Sequence, residues 1–401
     1  MAGLVGAFTG FGVAAFERIV VNGLLLHIEE LPLWMVALAP MAGLLLALGA
    51  LTFIGGGISS ATSDEYLKSF HDPAVPLSMR GLAARMTASI TTLGFGGAMG
   101  LEGPSLYLGA TLGSQAQRLL PRLFRDADRQ LLMVAGAAAG VAAIFKAPAT
   151  GAIFAIEVPY RDELARRMLL PALVSAATGY LAFVAINGTD RLFPIAGEPN
   201  FNFRDLIGAL ALGVAAGLAA RVFSVMVLKA KELNAKPSIW QPLVAGAALA
   251  GIFVIGRIAT GEDLTLGPGY DTIAWALDPH HGAWLVFLVL VLRCAATTAT
   301  VGGGGAGGLF IPLVVGGALM GRVVGGAVES LNTTLFVVIG VAAFLGAGYR
   351  VPLAAVMFVA ETTGRPGFVV PGLLAAVAAE LTMGRRSITI YQTSSRGADS
   401  I

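Results

Sequence analysis

The chain has 401 residues and a formal net charge of +2, and only 12% of its residues are charged, about half the share found in soluble domains. Its hydrophobic fraction of 56% excludes an ordinary soluble protein, and the sequence has no basic patch suited to nucleic acid. Its single cysteine, Cys294, lies in an apolar run, which excludes a disulfide framework.

Apolar stretches of about 18 or more residues, long enough to cross a bilayer core of about 30 Å, recur along the chain. The clearest are 34–54, 168–186, 205–229, 242–257 with its flanks, and 283–301. The N-terminus lacks the basic region of a cleavable signal, so we expect its first helix to be retained. These features predict an all-α, multi-pass membrane protein. No segment marks an organelle, so we expect a prokaryotic inner (plasma) membrane.

Basic residues concentrate in three segments outside the apolar stretches, and such segments face the cytoplasm in membrane proteins. They are Arg118, Arg122, Arg125 and Arg129 in 117–130, Arg161, Arg166 and Arg167 in 160–167, and Arg385, Arg386 and Arg396 near the end. We therefore predict that these segments are cytoplasmic and that 386–401 is a short cytoplasmic tail.

An internal repeat divides the chain into two halves. In chain order, Gly55–Gly57 pairs weakly with Gly267–Gly269, Gly100–Pro104 pairs with Gly308–Pro312, and Val134–Glu157 pairs with Val338–Glu361. The offsets of the three pairs are 212, 208 and 204 residues, so they drift by only four residues per block. We predict a first membrane half at 1–190, a connecting loop at 191–204 and a second half at 205–385.

Glycine and proline interrupt the apolar segments at the repeated positions. Segments 148–160 and 352–364 are too short to span a bilayer, and each begins with proline, which suits the first position of a helix. Close packing alone explains single glycines and prolines in membrane helices, but it does not explain three pairs in the same order. Repeated halves with interrupted helices are typical of transporters that bind substrate near the membrane midplane.

A helix that begins inside the membrane presents free N–H groups and the positive end of its dipole, which together bind an anion. Gly55–Ile58, Gly100–Pro104 and Gly308–Pro312 have the composition of such helix starts. The run of glycines at 302–305 is not a phosphate loop, because no Lys-Ser or Lys-Thr follows it. The sequence thus favours an anion pathway, and no cofactor or metal is expected.

Four motifs together resemble the signature regions of the CLC family of chloride channels and chloride/proton antiporters. They are GGGIS at 55–59, GLEGP at 100–104, FKAPATGAIFAIE at 145–157 and GGLFIP at 307–312, and the similarity runs from about residue 10 to about 392. The resemblance is to prokaryotic members without CBS domains. It implies an inverted repeat of broken and tilted helices, and a homodimer whose subunits each have an anion pathway.

The resemblance also assigns site residues. It makes Glu102 the gate, with a helix-capping role as the alternative. The implied anion-binding residues are Leu101, Gly103, Leu309, Phe310 and Ile311 through their amides, Gly55 and Gly56 at the inner end, and Tyr391 through its hydroxyl. An ordinary interfacial tyrosine is the alternative for Tyr391. Glu157 is either part of a proton route or a plain helix-end residue matched by Glu361.

The chain departs from the family pattern at four positions. Gly56 replaces the central serine of the first motif, so a hydroxyl donor is missing there and the preference among anions is open, while Ser59 replaces the proline of that motif. Leu101 replaces a basic residue, which lowers the positive potential at the outer mouth. Val158 replaces the internal proton-transferring glutamate, which weakens the case for proton coupling.

Two transport mechanisms therefore stay open. The first is exchange of chloride-like anions for protons, and the second is an uncoupled chloride channel with the same architecture. Fluoride or nitrate transport is a minor alternative, although the fluoride branch tends to lack the proline that Pro104 provides. An enzyme is not expected, because none of the four histidines lies beside a plausible buried nucleophile. The expected partners are an anion, protons, a second copy of the chain and the bilayer.

Overall fold

A computed structural model describes residues 1–72, 74–119, 129–190, 192–193, 201–235, 238–327 and 333–394. The predicted loop 191–204, the tail 386–401 and the basic segment 117–130 extend beyond these residues, and Arg122, Arg125 and Arg396 lie outside them. The regular structure of the described residues is helical, apart from two isolated β-bridges. The all-α prediction is confirmed.

The first half of the chain folds into helices α1 to α9. They are α1 (Ala2–Glu17), continued by a π-helical segment (Arg18–Leu25) into α2 (Leu26–Glu29); α3 (Leu33–Gly49), continued by a π-helical turn (Ala50–Ile54); α4 (Ser63–His71); α5 (Met79–Gly94); α6 (Glu102–Leu119); α7 (Arg129–Phe145); α8 (Pro148–Glu157); and α9 (Leu169–Asn187). A short 3-10 turn (Arg166–Met168) leads into α9.

The second half contains helices α10 to α17. They are α10 (Phe203–Leu233), α11 (Trp240–Thr260), α12 (Tyr270–Ala276), α13 (Ala283–Gly302), α14 (Phe310–Ala327), α15 (Thr333–Tyr349), α16 (Pro352–Thr363) and, after a 3-10 turn (Pro366–Phe368), α17 (Val369–Met383).

Eight helical segments among the described residues are long and apolar enough to cross a membrane. They are Ala2–Glu29, Leu33–Ile54, Arg166–Asn187, Phe203–Leu233, Trp240–Thr260, Ala283–Gly302, Phe310–Ala327 and Pro366–Met383. Each of the five predicted stretches falls on one of them. By contrast, α8 has 10 residues and α16 has 12, and at about 1.5 Å per residue they reach roughly half-way across a bilayer core. The predicted interruptions at Pro148 and Pro352 are confirmed.

Glycines at repeated positions bring helices together in the same way in both halves. In the first half α6 packs on α7, and Gly109 lies against the backbone of Gly136. In the second half α14 packs on α15, and Gly317 lies against the backbone of Gly340. A Cβ atom at any of these four positions would overlap the facing backbone. The sequence repeat is therefore also a structural repeat, because matched glycines make the same helix–helix contact in both halves.

The two halves have opposite orientations, as Lys146 and Arg350 illustrate. Both residues have a positive φ, of 53° and 57°, just before the helices that begin at Pro148 and Pro352. Lys146 Nζ donates to the backbone of Asp190, beyond the end of α9, at 3.0 Å, whereas Arg350 pairs at 3.1 Å with Asp162, which precedes α9. Since α9 crosses the molecule, the two repeated positions lie toward opposite ends of it.

The described parts of the three basic segments lie at the same end of the molecule. Gln130 Nε2 donates to the Phe70 carbonyl at 2.5 Å, and the ring of neighbouring His71 contacts the Pro159 carbonyl at 2.8 Å. The Arg161 amide donates to the Thr393 carbonyl at 2.9 Å. This arrangement is the one that the predicted orientation requires, and we call this end the basic end of the molecule.

Candidate anion pathway and its glutamate gate

The second and third motifs meet where the two halves cross. Gly100 and Gly308 form an antiparallel bridge in which the Gly100 amide donates to the Gly308 carbonyl at 2.9 Å, and the Gly308 amide donates back at 2.7 Å. The bridge holds the first turns of α6 and α14 side by side. Two helix N-termini, with their free N–H groups, thus point into one small region of the interior.

Glu102 is the first residue of α6, and 2% of its surface is exposed. Its Oε1 atom accepts a hydrogen bond from the amide of Phe310, at the start of α14, at 2.6 Å. Phe310 is the residue that the repeat pairs with Glu102, so the carboxylate of one half occupies a helix N-terminus of the other. Oε2 has no hydrogen-bond partner among the described residues. The arrangement differs from a glutamate that only caps its own helix.

Glycines lie on both sides of this carboxylate. A Cβ atom at Gly100 would overlap Oε2 of Glu102, and one at Gly308 would overlap Oε1. Gly103 is also confined, since a Cβ there would lie 2.5 Å from the Thr62 hydroxyl. The glycines of the two motifs therefore make room for the glutamate side chain as well as for close backbone approach.

A cavity of about 350 Å³ extends from this crossing point toward the basic end of the molecule. Its inner wall includes Met99, Gly307 and Leu309, which are next to the residues that hold the carboxylate. Its lining continues along 59–65 and reaches 389–391. The cavity connects the carboxylate's surroundings with the charged side chains of Asp64, Glu65, Lys68 and Lys231.

The predicted inner ligands, Gly55 and Gly56, lie apart from this cavity. Gly56 and Gly57 have φ values of 75° and 85° and terminate the helical segment that ends at Ile54, and Gly56 is exposed and faces the Arg80 side chain. The expectation that a helix starts at Gly55–Ile58 is wrong, because the two left-handed glycines turn the chain and α4 starts only at Ser63.

Hydroxyl groups reach the cavity from the segment that follows the glycines. Ser60, Thr62 and Ser63 all line it, and the Thr62 hydroxyl donates to the Gly307 carbonyl at 3.3 Å. Gly56 itself brings no hydroxyl group, but three nearby residues of the same segment place hydroxyl groups in the cavity lining.

Two tyrosines line the cavity, and only one of them lies deep in it. Tyr391 is 38% exposed, and Lys68 Nζ lies 5.7 Å from the centre of its ring. Tyr349, the last residue of α15, is 1% exposed and faces the Ser63 side chain and the Leu309 backbone. Sequence reasoning missed Tyr349. The repeat contained the signal, because Tyr349 is the counterpart of Phe145, and the hydroxyl group is present in one half alone.

Aromatic rings enclose the start of α14. Phe310 packs against Phe145 at 4.5 Å between ring centres, against Phe358 at 4.9 Å and against Phe154 at 5.3 Å. Tyr349 meets Phe154 edge to face at 5.5 Å. These rings surround the Phe310 side chain with apolar groups, while the Phe310 amide stays directed at the Glu102 carboxylate.

Glu157 and Glu361 form a reciprocal pair of helix caps. Glu157 accepts hydrogen bonds from the amides of Leu353 and Ala354, at 3.1 and 2.8 Å, at the start of α16. Glu361 accepts from the amides of Ala149 and Thr150, at 2.9 and 2.6 Å, at the start of α8. Each carboxylate thus satisfies free N–H groups of the other half's short helix.

The surroundings of Glu157 differ from those of an ordinary cap in one respect. It also lines a pocket of about 780 Å³ at the basic end of the molecule, together with residues of 160–168, Arg350 and Glu380. Val158, in contrast, is 1% exposed, and its carbonyl accepts from Gln392 Nε2 at 3.0 Å. Glu157 therefore borders open space at this end of α8, whereas the side chain of Val158 is enclosed.

The fold and the crossing point define a multi-pass membrane protein with paired helix N-termini in its interior. The chain belongs to the voltage-gated chloride channel family, the CLC family, because the family model matches residues 56–384. The members of this family are transporters and channels, which agrees with the resemblance of the four motifs.

Similar proteins cover most of the chain. A ClcB-like protein of Ralstonia nicotianae, provisionally named a chloride channel protein, is 29% identical over 95% of this chain and 92% of its own length. The H(+)/Cl(−) exchange transporter ClcA of Salmonella arizonae is 27% identical over 75% of this chain. The match covers 65% of ClcA, a little less than two thirds of that protein.

Solved structures share the fold. A slow cyanobacterial Cl−/H+ antiporter has a TM-score of 0.83 at 20% identity, covering 95% of this chain and 93% of its own. A CLC-type fluoride/proton antiporter has a TM-score of 0.81 at 21% identity, covering 98% of each chain. The inverted-repeat fold class is thereby confirmed.

Proposed function

We propose that this protein moves chloride or similar small anions across the membrane and exchanges them for protons, with Glu102 as the gate. The observation that carries the proposal is the 2.6 Å hydrogen bond from the Phe310 amide to the Glu102 carboxylate at a buried helix start. A group that binds a carboxylate oxygen through an amide and a helix dipole also binds an anion. Carboxylate and anion then compete for the same place.

The proposed gating step follows from this competition. When Glu102 takes up a proton, its attraction to the α14 N-terminus falls, and the side chain leaves the amide to an anion that arrives along the cavity. When the proton is lost, the carboxylate returns and displaces the anion. Oε2 has no hydrogen-bond partner among the described residues, so the carboxylate is held less firmly there than a fully hydrogen-bonded one would be. A gate must release its ligand readily in both directions.

The anion would be held by backbone amides and hydroxyl groups. The proposed amides are those of Leu101, Gly103, Leu309, Phe310 and Ile311, at the starts of α6 and α14. Tyr349 is the best-placed tyrosine for a hydroxyl contact, because it is buried beside Leu309, and Ser63 is its neighbour. Tyr391 lines the same cavity nearer to solvent, and its role in anion binding stays a prediction.

For protons, we propose a route from the basic end that uses Glu157, since its pocket provides access for water. An uncoupled channel is the second candidate. The buried, apolar Val158 favours it, because the position that transfers protons in many exchangers has no titratable group. The relatives named as exchangers, ClcA among them, favour the first candidate.

We further propose that the protein is a homodimer in a prokaryotic inner membrane, with its basic end in the cytoplasm. Family membership supports the dimer, and the arginines gathered at one end support the orientation. Cross-linking of the purified protein in detergent tests the dimer independently of transport. A dimer gives a product of two subunits, and a monomer gives a single subunit.

The function is tested by reconstituting the protein in liposomes with a chloride gradient while recording chloride and external pH together. Exchange predicts that chloride flux drives protons against their gradient, and that a proton gradient drives chloride in the reverse experiment. Chloride flux without proton movement would establish the uncoupled channel instead. If neither ion moves while the protein is folded and inserted, the proposed transport function is wrong.

A further inference from the structure

A largely buried ion pair lies in the lining of the cavity. Nζ of Lys231, in the last turn of α10, is 2.6 Å from Oδ2 of Asp64, in the first turn of α4. The Lys231 side chain is 16% exposed and that of Asp64 is 5% exposed, and both residues line the cavity. None of the four family motifs contains either residue, and the gating step does not use them.

An ammonium group in this position would attract anions that enter the cavity. A lysine without a partner, largely removed from water, would bind a halide strongly, whereas transport needs sites that bind weakly enough to release the ion. Asp64 offsets the charge of Lys231 at close range. The pair thus combines a cation on the anion's path with a built-in competitor for it.

The other charged groups that face the pair come from α4. Glu65 and Lys68 line the same cavity, and Glu65 is already paired with Arg85, from α5, at 3.4 Å. Lys68 lies over the ring of Tyr391 near the more exposed part of the lining. Of the two lysines in the cavity lining, Lys231 is therefore the one that pairs directly with Asp64.

We propose that Lys231 is an anion-recruiting site at the basic end of the cavity, and that Asp64 sets its affinity by competing with the anion for the ammonium group. An incoming anion displaces the carboxylate, stays briefly at Lys231, and then moves toward the amides beside Leu309. The inference rests on the proposed transport function and adds an anion site made of side chains to the proposed amide sites.

A purely structural role is the alternative for this ion pair. Lys231 Nζ also donates to the Ile388 carbonyl at 3.0 Å, and Asp64 Oδ1 accepts from the Ile390 amide at 3.1 Å. The pair thereby attaches the segment after α17 to α4 and α10. If attachment were its whole role, loss of either partner would impair transport in the same direction.

The recruiting site predicts opposite effects for the two partners. Lys231→Gln keeps a hydrogen-bond donor but removes the charge, so the chloride concentration that gives half-maximal flux should rise about 5-fold. Asp64→Asn keeps an acceptor for the Ile390 amide but frees the lysine, so the same concentration should fall about 5-fold and maximal flux should decrease. Lys231→Arg keeps the charge and should stay within about 2-fold of the wild type.

The experiment measures chloride flux into liposomes over a range of chloride concentrations for the wild type and these variants. Asp263→Asn is the matched control, because Asp263 pairs at 2.7 Å with Arg257 on an exposed surface, remote from the cavity lining. Opposite shifts for Lys231→Gln and Asp64→Asn support the recruiting site. Shifts in one direction, or none, overturn it. Absence of flux in the folded wild type would instead overturn the proposed transport function.

Discussion

The two halves of the molecule share their scaffold but differ where they face the cavity and the carboxylate. Glu157 and Glu361 cap each other's short helices in the same way, and glycines at matched positions pack α6 on α7 and α14 on α15. At the crossing point, in contrast, Glu102 of one half faces Phe310 of the other. Matched residues build the fold, and we expect the unmatched Glu102 to carry out gating.

The second difference is a single hydroxyl group. Phe145 and Tyr349 are repeat partners on either side of Phe310, and only Tyr349 has a polar atom, near Leu309 at the cavity. An acid or hydroxyl inside a membrane is costly unless it is used or paired. A pathway with two ends needs a gate at a single point, so we expect the two halves to differ at the residues that carry out gating and binding.

Replacing Glu102, whose carboxylate lies at the crossing point, should have the largest effect on transport. We expect Glu102→Gln and Glu102→Ala to abolish proton movement and the pH dependence of transport while anion flux persists, because the amide of Phe310 is then never occupied by a carboxylate. Simultaneous chloride and pH recording in liposomes measures both. If both variants retain proton movement at the wild-type level, Glu102 is not the gate.

A larger residue at Gly308, in the second half, should displace the Glu102 side chain without removing its carboxyl group. Gly308→Ala places a Cβ atom against Oε1 of Glu102, and such overpacking typically costs about 1–3 kcal/mol. We expect proton coupling to weaken strongly and stability to fall. Gly251→Ala is the control, since a Cβ there meets nothing within 4 Å. Equal behaviour of the two variants in flux and thermal unfolding would contradict the assigned contact.

The two helix-capping glutamates, Glu157 and Glu361, allow an effect on stability to be separated from an effect on proton transport. Glu157→Gln and Glu361→Gln each weaken two charge-assisted hydrogen bonds to backbone amides, so each should lower stability by about 1–2 kcal/mol. Only Glu157 lines the pocket at the basic end, so only its variant should reduce proton flux. A similar loss of proton flux in both variants would assign the effect to packing.

The smallest predicted effect concerns the unmatched hydroxyl. Tyr349→Phe removes it and leaves the ring packing intact, so we expect the chloride-to-nitrate preference to change by about 5-fold, as loss of one hydrogen bond of about 1 kcal/mol implies. Tyr391→Phe is the matched control and should change the preference less. A larger change in Tyr391→Phe would assign the central hydroxyl to the residue that the family resemblance favoured.

Much of the fold was predictable from the sequence because the patterns that indicate it extend over many residues. The apolar stretches predicted the membrane-spanning helices. The glycine and proline pairs that recur in the same order predicted the interrupted helices at Pro148 and Pro352. The repeat also paired Glu102 with Phe310. Their direct contact was not predictable, because an alignment of two halves does not tell whether matched positions meet at the crossing point or lie far apart, as Lys146 and Arg350 do.

Gly55, Gly56 and Tyr391 stay predicted anion ligands, but the structure places them away from the buried part of the cavity, and the causes are local. Gly55 and Gly56 match the sequence of the first motif. The left-handed Gly56 and Gly57, however, turn the chain away from the cavity, and it reaches the lining only at Ser59 and Ser60. For the tyrosines, distance along the chain favoured Tyr391, whereas burial, which only the packed structure reveals, favours Tyr349. The partnership of Glu157 with α16 likewise depends on how two inverted halves pack.

The most direct test of the central claim measures chloride binding to the purified protein by calorimetry over a range of pH. If the Glu102 carboxylate competes with the anion for the amide of Phe310, chloride binds the wild type more tightly as pH falls, and it binds Glu102→Gln tightly at every pH. Equal chloride affinity in the two proteins, with the same dependence on pH, would contradict the competition on which the account rests.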